Sequence, residues 1–218
     1  MALPEITNYI EDDWDDNALT NRTDSTEGYF LHPSDGLLSG DFEAGDALKG
    51  VYRPEWNTNS GSPTATNGEL QMFDGSSTPQ AVLTPSRFTT GYWEVNFKYN
   101  SSPSNGLGSR MTLFAQTQNA ANDSLQDSYA LQLYRGEIRL NRFDGGTENI
   151  IIQAVGAWGG GTTAYTEKAQ RDSYGNFEIF IDGQSEGTVT DTTYTEGSYH
   201  ALGNGEDSRM DYDNLVIQ

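Results

Sequence analysis

The chain has 218 residues, of which 32 are Asp or Glu and 12 are Lys or Arg, so its formal net charge is −20. It contains no cysteine, which excludes disulfide bonds. A surface this negative is repelled by nucleic-acid phosphates and anionic lipid, and no apolar run reaches the roughly 18 residues that a membrane span requires. We therefore expect neither a nucleic-acid nor a membrane partner.

The acidic composition favours Asp and nearly excludes lysine. Of the 32 acids 18 are Asp, and the only lysines are Lys49, Lys98 and Lys168. This composition is typical of proteins from extreme halophiles, because molar salt shortens the Debye length to about 3 Å and screens the repulsion among carboxylates. We expect a halophilic protein; a calcium-rich extracellular protein and an acidic mesophilic protein are the alternatives.

In chain order, residues 1–10 are expected to form an arm or tether, and residues 15–68 to hold short peripheral strands among polar loops. Alternation of apolar and polar residues then recurs to the C-terminus, while helical periodicity is almost absent. The clearest run is Gly91–Tyr99, where every second residue from Trp93 onward is apolar or aromatic. The other predicted strands are residues 69–73, 110–116, 128–134, 137–143, 148–155, 176–182 and 209–217.

Tight turns separate several of these strands. Asp182-Gly183 follows an apolar run, and an Asp-Gly pair accepts the positive φ angles of a type I′ hairpin turn. Asp144-Gly145-Gly146 predicts a similar turn. Short strands with one apolar face each favour an all-β fold, a jelly-roll sandwich of two antiparallel sheets. We expect this sandwich to be a single domain over residues 11–218.

Four segments resemble the concanavalin A-like lectin and glucanase superfamily, in the right order from residue 10 to residue 217. Ile10-Glu11-Asp12-Asp13-Trp14-Asp15-Asp16 is similar to the acidic-aromatic opening of such domains. Gly91-Tyr92-Trp93-Glu94 is similar to a strand of family 16 glycoside hydrolases and their non-catalytic relatives. Residues 177–183 and 210–217 are similar to a strand with its turn and to the closing strand of laminin G-like modules. The resemblance implies a concanavalin A-like jelly roll.

The strand that carries catalysis in family 16 enzymes lacks its carboxylates in this chain. Those enzymes place a nucleophile and a general acid on a Glu-x-Asp-x-x-Glu strand. The strand expected at that place is Ser128–Tyr134, which contains neither Asp nor Glu. The motifs of jelly-roll alginate lyases are missing too. We expect a protein that is not an enzyme; a glycoside hydrolase or polysaccharide lyase with an unrecognised catalytic pair is the alternative.

The resemblance also implies a structural calcium ion where the first and last strands lie side by side. Calcium prefers hard oxygen ligands, usually carboxylates together with backbone carbonyls. The resemblance maps the acidic ligands onto Asp13 and Asp213 and the carbonyl ligand onto Gly45. Alternatively, these acids belong to the general acidic surface.

A glycan-binding face is predicted from the same alternation. If Trp93 and Val95 point into the core, their neighbours face outward and form a polar surface that suits sugar hydroxyls, and loop aromatics can stack on sugar rings. The predicted glycan-binding residues are polar side chains expected on this face and aromatics expected in or near loops: Glu94, Asn96, Lys98, Gln132, Tyr134, Arg139, Trp56, Trp158 and Tyr165.

These observations favour a non-catalytic lectin-like domain that binds cell-surface glycans or glycoproteins. Domains of this fold normally work outside the cell, yet the sequence opens on Met1 without a recognisable export signal. A virus particle carries its proteins outward by assembly and lysis. We therefore predict a turret, spike or tail-fibre protein of a halophilic virus, located at the virion surface or outside the cell, contacting other virion subunits and forming a homo-oligomer. A purely structural virion protein is the alternative.

Overall fold

The computed structural model describes residues 7–12, 30–32, 36–38, 49–52, 56–67, 69–72, 80–99, 107–116, 127–134, 136–156, 163–204 and 210–218. Within these residues every element of secondary structure is a β-strand. No helix in them is long and apolar enough to span a membrane.

The strands of the described residues, in chain order, are β1 (Thr7–Asp12), β2 (Phe30–His32), β3 (Gly36–Leu38), β4 (Lys49–Tyr52), β5 (Asn57–Ser60), β6 (Thr64–Thr66), β7 (Glu69–Met72), β8 (Ala81–Pro85), β9 (Gly91–Tyr99), β10 (Leu107–Ala115), β11 (Ser128–Tyr134), β12 (Glu137–Asp144), β13 (Thr147–Val155), β14 (Ala164–Arg171), β15 (Asn176–Ile181), β16 (Gln184–Thr190), β17 (Tyr199–Asn204) and β18 (Met210–Ile217).

Two large sheets form the sandwich. Sheet I has the order β16-β15-β14-β9-β18-β1-β4, with β7 paired to β18 and β6 to β7. Sheet II has the order β13-β12-β11-β10-β17-β8-β5, and β2 and β3 form a separate hairpin. The described strand pairs are antiparallel except β1 with β4. The predicted sandwich of two antiparallel sheets is thus confirmed.

The core lies between the inner faces of the two sheets. In β9 the side chains of Trp93, Val95 and Phe97 are at most 2% exposed, and the residues between them are half-buried. From sheet II, Leu131 of β11 and Leu140 of β12 join the same apolar cluster. The alternation predicted for Gly91–Tyr99 is therefore confirmed, and the even-numbered residues of β9 face away from the core.

Both predicted hairpin turns occur. Asp182 and Gly183 have φ angles of 50° and 78°, and they join β15 to β16 directly, because Ile181 lies opposite Gln184. Gly145 and Gly146 have φ angles of 57° and 86° between β12 and β13. These positive values are those of type I′ turns, which match the twist of the flanking strands.

The two ends of the chain meet in sheet I. β1 pairs with β18, with Ile10 opposite Ile217 and Asp12 opposite Leu215. The first and last strands of the sandwich therefore lie side by side, as the sequence predicts. Residues 7–10, predicted to belong to an arm, instead belong to sheet I, and residues 1–6 lie outside the described residues.

Candidate functional site

The outer face of sheet I carries a row of polar side chains where β9, β14 and β18 run next to one another. Across the strands, Asp213 lies opposite Asn96, and Asn96 lies opposite Thr166. One step along, Asp211 lies opposite Lys98. Because the odd-numbered residues of β9 fill the core, pleating directs Asn96 and Lys98 outward.

These residues border a cleft of about 230 Å³, which we call the first cleft. Its polar lining comes from four strands and comprises Glu69, Asn96, Lys98, Thr166, Asp211 and Asp213. Asp182, in the turn between β15 and β16, closes one side. The first cleft therefore gathers side chains that are far apart in the sequence.

Hydrogen bonds fix the side chains on the β14 side of the first cleft. The Thr166 hydroxyl donates to Oδ1 of Asn96 at 2.7 Å. The backbone N–H of Thr166 donates to Oδ1 of Asp182 at 2.8 Å, and the N–H of Asp182 donates to the Thr166 carbonyl at 2.8 Å. The type I′ turn thus holds the Asp182 carboxylate beside the end of β14.

Lys98 is the cation of the first cleft. Its ammonium donates to Glu69 and lies 3.7 Å from Oδ2 of Asp211. The hydrogen bond to Glu69 raises the pKa of Lys98, despite the opposing effect of burial, and the charges of Glu69 and Asp211 raise it further. The ammonium therefore stays charged at neutral pH and is held in one position.

The first cleft combines hydrogen-bond donors and acceptors in fixed directions. Lys98 supplies donors, the carboxylates supply acceptors, and Thr166 and Asn96 supply both. A concave surface with a few convergent polar groups is the usual form of a small-molecule site. Its chemistry suits a ligand with several hydroxyl groups, each of which both donates and accepts.

Several predicted glycan-binding residues lie on this side of the sandwich. Glu94, Asn96 and Lys98 share the outer face of sheet I and are half-buried. Tyr165 also borders the first cleft, but it lies opposite Phe97 in the register, and its ring stacks on that core side chain with 5.7 Å between centroids, so it packs against the core and not on the outer face. Asp213, predicted as a metal ligand, borders the same cleft. The structure therefore brings together residues that the sequence assigns to two sites.

The prediction that Gln132, Tyr134 and Arg139 share this face is wrong. They lie on β11 and β12 of sheet II, whose outer face points away from sheet I. There the Arg139 guanidinium lies 4.2 Å from the centre of the Tyr134 ring and pairs with Glu137 at 2.5 Å. Alternation fixes which residues of a strand share a face, but it does not assign the strand to a sheet.

The two predicted tryptophans differ in outcome. Trp56 is 0% exposed and belongs to the core, where its ring makes an edge contact with His200 at 5.9 Å between centroids. A fully buried indole cannot stack on a sugar ring, so Trp56 is not part of the candidate site. Trp158 lies outside the described residues.

The predicted calcium ligands are only partly described. Asp213 is half-buried on β18, whereas Asp13 and Gly45 lie outside the described residues. Within the described ranges no group of three or more His, Cys, Asp or Glu side chains is arranged to hold a metal ion. The described residues thus supply one ligand of the predicted set, and the calcium site stays a prediction.

Sequence reasoning missed β14 and therefore Thr166. The inward positions of β14 include Glu167 and Arg171, so this strand shows no apolar alternation. The rarity of lysine could have pointed to β14 and to the outer face of sheet I. Lys98 and Lys168 are two of the three lysines in the chain, and register places both on the outer face of sheet I.

No protein-family model matches the sequence, and no curated protein shows significant sequence similarity to it. Solved structures do match. The carbohydrate-binding module CBM66 from Bacillus subtilis has a TM-score of 0.62 at 16% identity, covering 75% of this chain and 95% of that one. The VIP36 exoplasmic/lumenal domain, bound to Ca²⁺ and Man3GlcNAc, has a TM-score of 0.60 at 13% identity, covering 75% and 84%. A native glycosidic hydrolase has a TM-score of 0.53 at 16% identity, covering 75% and 89%.

These similarities concern the fold. They agree with the jelly-roll sandwich described above, which the chain shares with a carbohydrate-binding module, the VIP36 domain and a glycosidic hydrolase. Because that fold carries both binding modules and hydrolases, function has to be argued from the site.

Proposed function

We propose that this chain is a non-catalytic carbohydrate-binding domain and that the first cleft contacts the sugar. The observation that carries the proposal is the convergence of Lys98, Asn96 and Thr166 with acidic side chains in one concave site on an exposed sheet face. Two of the structurally similar proteins are a carbohydrate-binding module and a domain bound to Man3GlcNAc, which supports the same class of ligand.

The proposal of binding without catalysis rests on β11. This strand occurs with the predicted bounds Ser128–Tyr134, and it carries no carboxylate. A retaining glycosidase needs two carboxyl groups on either side of the scissile bond, about 5 to 5.5 Å apart. β11 therefore cannot supply the catalytic pair that the resemblance to family 16 enzymes would place on it.

A glycan array followed by titration of the strongest ligand tests this proposal. We expect Lys98→Ala to weaken binding by about tenfold or more, because a charged hydrogen bond to the sugar is lost. Arg139→Ala is the matched control, since Arg139 also pairs with one Glu but lies on sheet II. We expect it to bind like the unmodified protein.

If instead Arg139→Ala weakens binding and Lys98→Ala does not, the binding site lies on the outer face of sheet II, where Gln132 and Tyr134 lie. If Lys98→Ala and Arg139→Ala bind equally well, the first cleft is not the binding site. No binding by the unmodified protein, on an array that includes S-layer glycans, would refute carbohydrate binding itself.

We further propose that the domain acts outside the cell at the surface of a halophilic virus, attaching to host glycans as part of a homo-oligomeric appendage. The composition, with its net charge of −20 and 3 lysines, supports the halophilic origin. We also propose a structural calcium ion bound by Asp13, Asp213 and the carbonyl of Gly45. The size of the purified protein by light scattering tests the oligomer, and a monomer would contradict it.

A further inference from the structure

We propose that the ligand is an extended, neutral glycan chain that lies along β14, rather than a single terminal sugar. This inference rests on the proposed carbohydrate-binding function and names the class of glycan. It follows from a second cleft on the same face of sheet I, from the side chains between the two clefts, and from the charge of the whole face.

The second cleft lies at the other end of β14 and has a volume of about 430 Å³. It is built on a cross-strand row in which Tyr92 lies opposite Gln170, Gln170 opposite Glu178, and Glu178 opposite Thr188. Nε2 of Gln170 donates to Glu178 at 3.0 Å. Like the first cleft, it offers fixed amide and carboxylate groups on an accessible sheet surface.

Asp172 borders the second cleft and is held by its own turn. It accepts hydrogen bonds from the backbone N–H of Tyr174 at 2.8 Å and from both the backbone and the side chain of Asn176 at 2.9 and 2.8 Å. The hydrogen bonds from Asn176 lower the pKa of Asp172, and burial acts in the opposite direction. This carboxylate is therefore ionised at neutral pH.

Lys168 lies between the two clefts. Its ammonium is 4.3 Å from the centre of the Tyr92 ring, 5.7 Å from that of Phe180 and 3.6 Å from Oε2 of Glu94. The two rings and the carboxylate hold the ammonium above the sheet. This lysine lies on the same face as Lys98 and between Thr166 and Gln170 along β14, so its three N–H donors place hydrogen-bonding groups between the two clefts.

The distance between the clefts sets the length of the ligand. Thr166 borders the first cleft and Gln170 the second, four residues apart on β14. At roughly 3.3 Å per strand residue they are separated by about 13 Å. One sugar ring is shorter than this distance, so a ligand that contacts both clefts is an oligosaccharide chain.

The charge of the face selects a neutral chain. Arg171 also borders the second cleft, but it is 4% exposed and donates to the backbone carbonyls of Thr89, Asp191 and Tyr194. Acidic polysaccharides would be repelled by the excess of carboxylates. Along the two clefts and between them, the carboxylates are Glu69, Glu94, Asp172, Glu178, Asp182, Asp211 and Asp213, against the ammonium groups of Lys98 and Lys168.

Titration with oligosaccharide ladders tests the inference. The probes are cello-, laminari- and manno-oligosaccharides from the monosaccharide to the hexasaccharide, with oligogalacturonates of the same lengths as the acidic series. For at least one neutral series we expect affinity to rise about tenfold or more between the monosaccharide and the tetrasaccharide. We expect the acidic series to bind more weakly at every length.

Single variants test whether the rise in affinity from the monosaccharide to the tetrasaccharide comes from the second cleft. Gln170→Ala should weaken the tetrasaccharide by about tenfold and leave the monosaccharide unchanged, since only the longer ligand reaches it. Gln153→Ala removes an exposed glutamine from the outer face of sheet II and should change neither affinity. Lys98→Ala should weaken both ligands.

The outcomes separate this inference from the proposed function. If affinity does not depend on length, or if Gln170→Ala has no effect while Lys98→Ala still weakens binding, the extended chain is refuted and carbohydrate binding stands. Stronger binding of oligogalacturonates would refute the neutral ligand. If no ladder binds although the glycan array yields a ligand, the extended neutral chain is refuted and carbohydrate binding stands; if the array yields none either, both proposals fail.

Discussion

Glu167 is fully buried at the middle of β14, on the face of sheet I opposite to the two clefts. Its Oε2 accepts a hydrogen bond from the Ser109 hydroxyl at 2.7 Å, while its Oε1 has no hydrogen-bond partner among the described residues. Burial raises the pKa of Glu167 to about 8, although the bond from Ser109 acts in the opposite direction. Glu167 is therefore mainly protonated at neutral pH, which is how the core tolerates it.

This residue makes the stability of the fold depend on pH. Between the ordinary pKa of 4.5 and the folded value of about 8, the folded chain holds a proton that the unfolded chain has released. The contribution of Glu167 to the free energy of unfolding therefore decreases by up to about 1.4 kcal/mol for each unit of pH rise in that window. Below the window it is constant.

Glu167→Gln should remove this decrease, because an amide has no proton to lose. Urea unfolding across the same pH window measures it, and the variant should gain stability relative to the unmodified protein as pH rises. Glu196→Gln, at an exposed position, is the control and should leave the pH dependence unchanged. Parallel pH profiles for Glu167→Gln and the unmodified protein would show that the buried carboxyl does not titrate as described.

At the scale of elements, β9 was predictable and β14 was not, although they are neighbours in sheet I. β9 alternates apolar and polar residues, and this pattern is written in the local sequence. The inward positions of β14 include Glu167 and Arg171, the latter enclosed by the rings of Phe114, Tyr129 and Phe177 at 4.9 to 5.5 Å. Polar residues such as these can be buried only because side chains from other strands form hydrogen bonds or ring contacts with them.

The seam between β1 and β18 carries the calcium prediction. Isothermal titration of chelator-treated protein with CaCl₂ should show binding, and free calcium at about 100 times its dissociation constant should stabilise the fold by about 2.7 kcal/mol. Asp213→Ala should abolish this stabilisation, which a melting curve with and without calcium measures. Glu196→Ala, outside both strands, is the control. A melting temperature that does not respond to calcium would refute the predicted calcium site.

At the scale of the whole molecule, the charge of −20 predicts a fold that needs salt. In dilute buffer the carboxylates repel one another, and at 1 M salt the Debye length falls to about 3 Å. The melting temperature should therefore rise steeply from low salt to molar KCl. Sucrose is the control, because it stabilises compact proteins without screening charge. An equal effect of KCl and sucrose would contradict a halophilic adaptation.

The features that depend only on neighbouring residues were predictable from the sequence. These are the alternation of β9, the type I′ turn at Asp182-Gly183, the sandwich architecture and the lack of carboxylates on β11. The alternation follows from the period of a strand and the turn from its φ angles, which a few consecutive residues set. The sandwich follows from the recurrence of such strands along the chain, and the missing carboxylates are read directly from the sequence.

Which strands lie next to one another emerges only in the folded chain. It placed β14 and β18 on either side of β9, so that Thr166, Asn96 and Asp213 meet across three strands. It also put Arg139 on the opposite sheet and Trp56 in the core. Strand order depends on burying apolar area across the whole chain, and a local pattern carries no record of which distant strand will pair with it.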